Sequence, residues 1–573
     1  MSLGLVACGG PQGNGGGDPD AGLEGATLEV SPAAVELTVL NGAQQSQAYT
    51  ATLRLVDDTT IDVTADAGFS VDQSMLGSFS DTTFTAYGQG GGIGTVTANY
   101  QGIYGQAKVT VNIEDVRVGA GVPAGAPGWF DAATDDPSRN PTIVYPSDTT
   151  LVPPNLGDFE VHWNDVGGND LFEVRLSGDY VELTMYVTGT PSAGNWAAFL
   201  PADWAPLGNT LRGGIASAHV RAMSSTATTV AGRSAPITIR LADQEIEGGI
   251  YYWAAASSTG APTGIYRHDM SRPGEAAEQF FTTAQSPNNR CVACHVISRD
   301  GTNMAVVYDG SGGSAATVDV ATRTPYFAPG TYYWHFATYE PEGNRLLTAK
   351  NGLLTLRDPA SGTVLSTLTT ANPSTHPDFS PLRNEIAYVS HTTGDDIWFS
   401  DGTIMRRSFD PGSLTWGPEI PVVSGGGNNY YPSYTPDGEW ILFNRSSEDA
   451  YSDASAELWI TRVDGTVAPI KLALPDVSGG LTNSWPRWAP FQSTYGGSGG
   501  TPEKVFWLTF SSLRQFGVRM AAGTRPQVWM APFFPERAQA GMEPSAPAFR
   551  LPFQDLTSNN HIAQWTEEVI PIQ

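Results

Sequence analysis

The chain has 573 residues, too many for one hydrophobic core, and its length predicts about two to four domains. Charged residues make up only 15%, while glycine and proline number 64 and 41, which excludes helical bundles and suits an all-β chain with many turns. A formal net charge of -28, with no basic stripe, excludes nucleic acid and anionic lipid as partners. No run of apolar residues is long enough for a membrane-spanning helix.

In chain order, the start MSLGLVACGG is followed by GGPQGNGGGDPDAG, a flexible tether that buries no core. Leu5-Val6-Ala7-Cys8 is similar to the lipobox of bacterial lipoproteins, whose cysteine becomes the lipidated N-terminus. That resemblance implies export, a membrane anchor at Cys8 and, with Gly9 next, sorting to the outer membrane on its periplasmic or cell-surface side. Only seven residues precede Cys8, fewer than a secretory signal needs, so the reading expects the chain to begin upstream of this Met.

After the tether at 1–25, residues 26–113 alternate apolar and polar positions in short runs such as LEVSPAAVELTV and GTVTANYQG…AKVTVNI. The segment resembles the bacterial Ig-like domains of surface proteins, which implies a small β-sandwich. A Gly, Pro and Asp-rich linker is expected over 114–140. A second Ig- or fibronectin-like sandwich is expected over 141–286, with Trp163 and Trp253 in its core. Both sandwiches are read as spacers.

The last part, 287–573, carries a repeat. CHVISRDGTNMAVVY, FATYEPEGNRLLTA, HPDFSPLRNEIAYVS, YPSYTPDGEWILFNR and WPRWAPF align on a first position, a Pro-Asp-Gly-like turn and a strand. Their starts at 294, 336, 376, 431 and 485 are spaced by 42, 40, 55 and 54 residues. Strands at that period mean propeller blades, because one blade cannot bury both of its faces alone. The pattern resembles the TolB-type propeller family. It implies six or seven blades, with the C-terminal strand closing the ring against the first.

Two of the three cysteines fall in CVACH, residues 291–295. This spacing matches the attachment signature of c-type haem. Each thiol adds across one vinyl group of the porphyrin, and the histidine that follows ligates the iron. Cys291 and Cys294 are therefore read as tethers of one covalent haem c per chain, and His295 as its iron ligand, in a haem site grafted onto the propeller.

The rival readings of the pair are weaker. A structural zinc site needs two more ligands, usually cysteines, and the third cysteine lies in the tail. A redox dithiol wants a βαβ setting. A disulfide between cysteines two apart is strained and closes almost no loop.

For the sixth ligand the first choice is His561, because ring closure brings the C-terminus beside the first blade. Met304 reads better as core. His335 and His268 are further candidates, His376 reads as part of the ordinary blade pattern, and an open site is the remaining option. Two-histidine ligation predicts a lower potential than His/Met.

The sequence thus predicts a lipid-anchored, extracytoplasmic monohaem cytochrome on a propeller, passing single electrons between redox partner proteins. One alternative is a surface propeller module that binds protein or glycan. Another is a haem-dependent oxidoreductase with its substrate on the propeller face.

Overall fold

The structure is a computed structural model that describes residues 23–310, 313–474, 479–496 and 500–572. The lipobox with Cys8 lies outside the described residues. The chain divides into two compact units, Met1–Glu114 and Asp115–Gln573.

The first unit is all strand and turn among its described residues. Thr27–Ser31 pairs with Thr50–Arg54, and Ala34–Leu40 runs parallel to the strand that starts at Ile103. Alternation does the folding work. In Thr27–Ser31 Leu28 and Val30 are buried while their neighbours are exposed, and Val96, Val109 and Val111 bury one face of the longest hairpin.

The second unit opens with an element that the linker reading missed. Ala126–Ala132 is a helix whose Phe130 is fully buried, 5.7 Å from the ring of Tyr186 and beneath the guanidinium of Arg221. Ala126 and Phe130, four residues apart, share one helix face, so this Gly- and Pro-rich stretch docks. Two sheets follow. One includes Leu171–Gly178, Val181–Thr188 and Ile215–Ser224; the other is Thr142–Tyr145, Phe159–Asn164 and Gly194–Phe199. Trp163 is fully buried with its ring 5.1 Å from Phe172, as expected of a core residue.

Six further sheets form the β-propeller. Their inner strands are Val292–Ile297, Phe336–Tyr339, Ser374–Phe379, Asn428–Tyr434, Ser484–Tyr495 and Asn559–Thr566, and each touches the next around a closed circle. The last of these is the ring's closure. Asn559–Thr566 pairs with Gly249–Ala255, which continues into Gly264–Asp269 and Glu278–Thr282. Residues 249–282, read above as the end of the second sandwich, thus supply three strands of the first blade. Trp253 belongs to that blade and not to a sandwich core. Counted from there, the CVACH strand opens the second blade.

Pro-Asp-Gly-like turns close tight hairpins after inner strands such as Val292–Ile297 and Asn428–Tyr434. Ser298 and Thr435 each bond the aspartate two residues on, at 2.6 and 2.7 Å. Gly301 and Gly438 take the left-handed φ of 74° and 68° that closes the turn.

Because one strand completes a blade from a segment some 300 residues away, its packing is global. Trp565 is 7% exposed and its indole N–H donates to Thr509 Oγ1 at 3.0 Å. Trp565→Ala should cost about 3–5 kcal/mol in urea unfolding. Removing 559–573 should abolish the cooperative transition of the second unit altogether.

Candidate functional site

Each inner strand carries the same four-residue pattern, CHVI, FATY, HPDF, YPSY, WPRW and, in the closing strand, IAQW. The fourth residues, Ile297, Tyr339, Phe379, Tyr434, Trp488 and Trp565, are all buried between blades. The first residues, Cys294, Phe336, His376, Tyr431, Trp485 and Ile562, line one cavity on the channel. That cavity is about 30 Å³, room for about one water.

The local geometry explains how these side chains reach the channel. Ladder bulges fall at Thr375/Asp378, Tyr430/Ser433, Ser484/Arg487 and Val292/His295. His376, Tyr431, Trp485 and Ile562 hold φ of 46°, 49°, 56° and 56°, a conformation that non-glycine residues seldom take. Bulges re-aim side chains in this way beside functional sites. The result is a run of ring contacts, with Trp485 stacked on Tyr431 at 4.2 Å, His376 tilted against Tyr431 at 4.2 Å and Phe336 edge-on to His376 at 4.1 Å.

Past this ring the third residues make a polar belt on a cavity of about 140 Å³ that includes Asp378 and Arg487. Burial pushes the Asp378 carboxyl up to about 6, opposed by Arg487 and by the Tyr434 N–H that donates to it at 2.9 Å.

At the other mouth lie two cavities that share Tyr451 as a wall. One, about 180 Å³, is lined by Ala293, Cys294, His335, Trp398 and others; the second, about 310 Å³, by Trp253, Trp485 and His561 among others.

Cys291 and Cys294 are free thiols. Burial pushes Cys294 up to about 11, and burial with Asp309 raises Cys291, so neither is the activated thiolate that a redox dithiol requires. The motif's bulge leaves Ala293 and Cys294 together opposite Val307. Cys294 packs beside Trp334 and Val307 toward the third blade, while His295 Nε2 approaches Tyr251 O, 3.3 Å away, in the first. His295 Nδ1 is buried and makes no hydrogen bond among the described residues. Burial lowers this imidazole to about 4, so it is neutral.

Tested against haem c, the residues fit in kind: two free thiols and a buried imidazole with an unused nitrogen stand within one five-residue stretch. Cys294 lines both the smaller mouth cavity and the channel cavity, and His295 the channel cavity. The two sides of an extended strand separate Cys294 from His295, and the bulge in the motif is where the backbone is already off its ladder. Among the described residues no cluster of three or more His, Cys, Asp or Glu forms a metal site without such a group.

The other candidates sort clearly. Met304 is fully buried in the core between the first and second blades. His335 Nδ1 bonds Asp396 Oδ2 at 2.9 Å and its Nε2 lies 2.6 Å from Lys350 Nζ, so both ring nitrogens are engaged. His268 stacks on Phe553 at 4.0 Å. His561 lines the larger cavity, 5.7 Å from Trp253, and shares no cavity with the cysteines. His376, set aside from sequence as part of the blade pattern, lines the channel cavity with Cys294 and His295, as His335 does; unlike His335, both of its ring nitrogens are buried without hydrogen-bond partners among the described residues.

No family model and no curated protein matches the sequence. Among solved structures the chain is similar to a protein assigned as TolB from Agrobacterium tumefaciens. The two are 15% identical with a TM-score of 0.32, over 56% of this chain and 98% of that one. It is also similar to a chain of a nidogen/laminin complex, at 6% identity and a TM-score of 0.34, over 56% of this chain and 99% of that one.

The buried imidazoles set an acid sensitivity. Burial holds His219, His268, His295 and His561 at about 4 against an ordinary 6.5, and holds His376 well below that ordinary value. The unfolded chain therefore binds more protons than the folded one between these values, and stability falls as pH drops through this window. Asp378, raised from 3.8 to about 6, acts with the opposite sign, as do Asp115, Asp158 and Glu340, which burial raises, while His162 is lowered with the other imidazoles. The urea midpoint should fall steadily from neutral pH toward pH 4, with a smaller slope in His376→Phe.

Proposed function

We propose that this chain is an extracytoplasmic propeller that carries one haem c at the mouth of its channel, for single-electron transfer between redox partner proteins. Cys291 and Cys294 would hold the group through thioethers and His295 would ligate the iron. The observation that carries the reading is a double departure from the ring's own pattern. Where the other inner strands place an aromatic or aliphatic residue followed by Pro or Ala, this strand places Cys294 followed by His295.

When bound, the haem supplies a one-electron ferric/ferrous couple. The chain's own residues do the rest. The ring of Phe336, Tyr431 and Trp485 excludes water from the channel side, and Trp253 fixes the strand by donating its indole N–H to Val292 O at 2.7 Å. The cavity it shares with Cys294 favours His376 over the expected His561 as a second imidazole. A membrane tether through Cys8 belongs to the same proposal.

Protein made with a haem c maturation system should give a covalent c-type pyridine haemochrome spectrum, lost in Cys291→Ala/Cys294→Ala. His376→Phe should shift the ferric spectrum toward high spin, while His561→Phe leaves it unchanged. A colourless protein would sink the reading and leave a propeller that binds protein or glycan. Labelled fatty acid should be incorporated by the full-length precursor and not by its Cys8→Ala variant.

A further inference from the structure

The larger mouth cavity does not enter the haem reading. It is about 310 Å³, the lower end of the range for small-molecule sites, and lies where the first, fifth and sixth blades meet. Three aromatic rings wall it, those of Trp253, Tyr451 and Trp485. Between them stand uncharged hydrogen-bonding groups, among them Thr482, Ser484, Ser511, Asn559 and His561, and no charged side chain lines it among the described residues. On a chain with a net charge of -28 and an acidic composition throughout, a neutral polar cavity is a selective feature.

One of these groups points to a ligand. Ser484 is 1% exposed, lines the cavity, and its Oγ has no hydrogen-bond partner among the described residues. A buried hydroxyl left unpaired costs about 1–3 kcal/mol, which a ligand hydroxyl would recover. Trp485, next in the chain, is held at a φ of 56° with one face stacked on Tyr431 at 4.2 Å, so its indole is a rigid platform. His561 is held neutral by burial, so its imidazole both donates and accepts.

Aromatic faces bind the C–H faces of a sugar ring, and hydroxyls, amide and neutral imidazole satisfy its rim of OH groups. Surrounding negative charge disfavours anionic ligands. A flat apolar ligand would leave the hydroxyls unpaired, and a charged one would find no counter-charge. We infer that this cavity is a binding site for one uncharged saccharide residue, with Trp485 as the stacking platform and Ser484 as a hydrogen-bonding contact.

The site does not rest on the haem reading, since neither cysteine lines it. The test is calorimetric and tryptophan-fluorescence titration of the full chain with maltose, cellobiose and diacetylchitobiose, with glucuronate as the anionic control. At least one neutral disaccharide should bind at a single site at millimolar concentrations or below, and glucuronate should not. Trp485→Ala should abolish binding. Ser484→Ala, which removes an unpaired hydroxyl and leaves the fold intact by thermal unfolding, should weaken it about tenfold. Cys291→Ala/Cys294→Ala should bind as the parent does, which separates this site from the haem. No binding by any of the three sugars would overturn the inference. So would binding indifferent to both the Trp485 and Ser484 variants, or glucuronate binding as tightly as the neutral sugars.

Discussion

Everything in the second unit depends on one pairing, that of Asn559–Thr566 with Gly249–Ala255. A sheet of four or five strands has two apolar faces and two open edges. Stacking six such sheets in a circle buries every face against a neighbour, but only if the circle closes. Here closure is made by lending the inner strand of the first blade from the far end of the chain. The same strand supplies Ile562 to the channel ring and Gln564 to the polar belt beneath it. The channel cavity, the polar belt and the larger mouth cavity are therefore completed by the event that completes the fold.

The ring imposes a second constraint on the inner strands. Six of them converge on one axis, so a residue per strand must point inward where an ordinary pleat would alternate between neighbouring blades. Bulges and left-handed residues at His376, Tyr431 and Trp485 solve this, each followed by proline, which needs no ladder partner. The inward residues then pack on one another. That packing leaves little room in the channel itself and moves the usable space outward to the mouths. Imidazoles caught in this packing are neutral because no solvent or counter-charge reaches them.

Much of this was legible in the sequence. The first positions of five inner strands, from Cys294 to Trp485, were aligned correctly by the turn that follows each, because a Pro-Asp-Gly-like hairpin has a fixed chemistry. Closure by the C-terminal strand was expected, but its four-residue pattern stayed outside the alignment because IAQW lacks both the proline and the turn, although its Trp565 occupies the place of Trp488. Residues 249–282 were read as sandwich because a blade strand and a sandwich strand share the same alternation; only the partner distinguishes them, and the partner lies near the C-terminus. The helix at Ala126–Ala132 hid in a Gly- and Pro-rich stretch because its docking rests on Phe130 and Ala126 alone. The strand that carries His561 does lie beside the CVACH strand, as ring closure implied, but His376 and not His561 lines the cavity of Cys294, because a bulge decides which side of a strand a residue faces and no periodicity reports a bulge.

The cysteine pair is best understood against the ring that surrounds it. A cysteine at a packed channel position is by itself a small hydrophobe and needs no function. The residue after it is harder to explain that way. At the equivalent place the other strands use Ala337, Pro377, Pro432, Pro486 and Ala563, all compact and free of polar side-chain atoms. His295 instead buries an imidazole with one nitrogen unpaired, at a cost of about 1–3 kcal/mol that an alanine would not incur. Two adjacent departures, one soft donor and one nitrogen donor, fall on a bulge where the backbone has already left its ladder. Packing accounts for the first and is worsened by the second, which is why the proposed function is built on the pair and not on the cysteine alone.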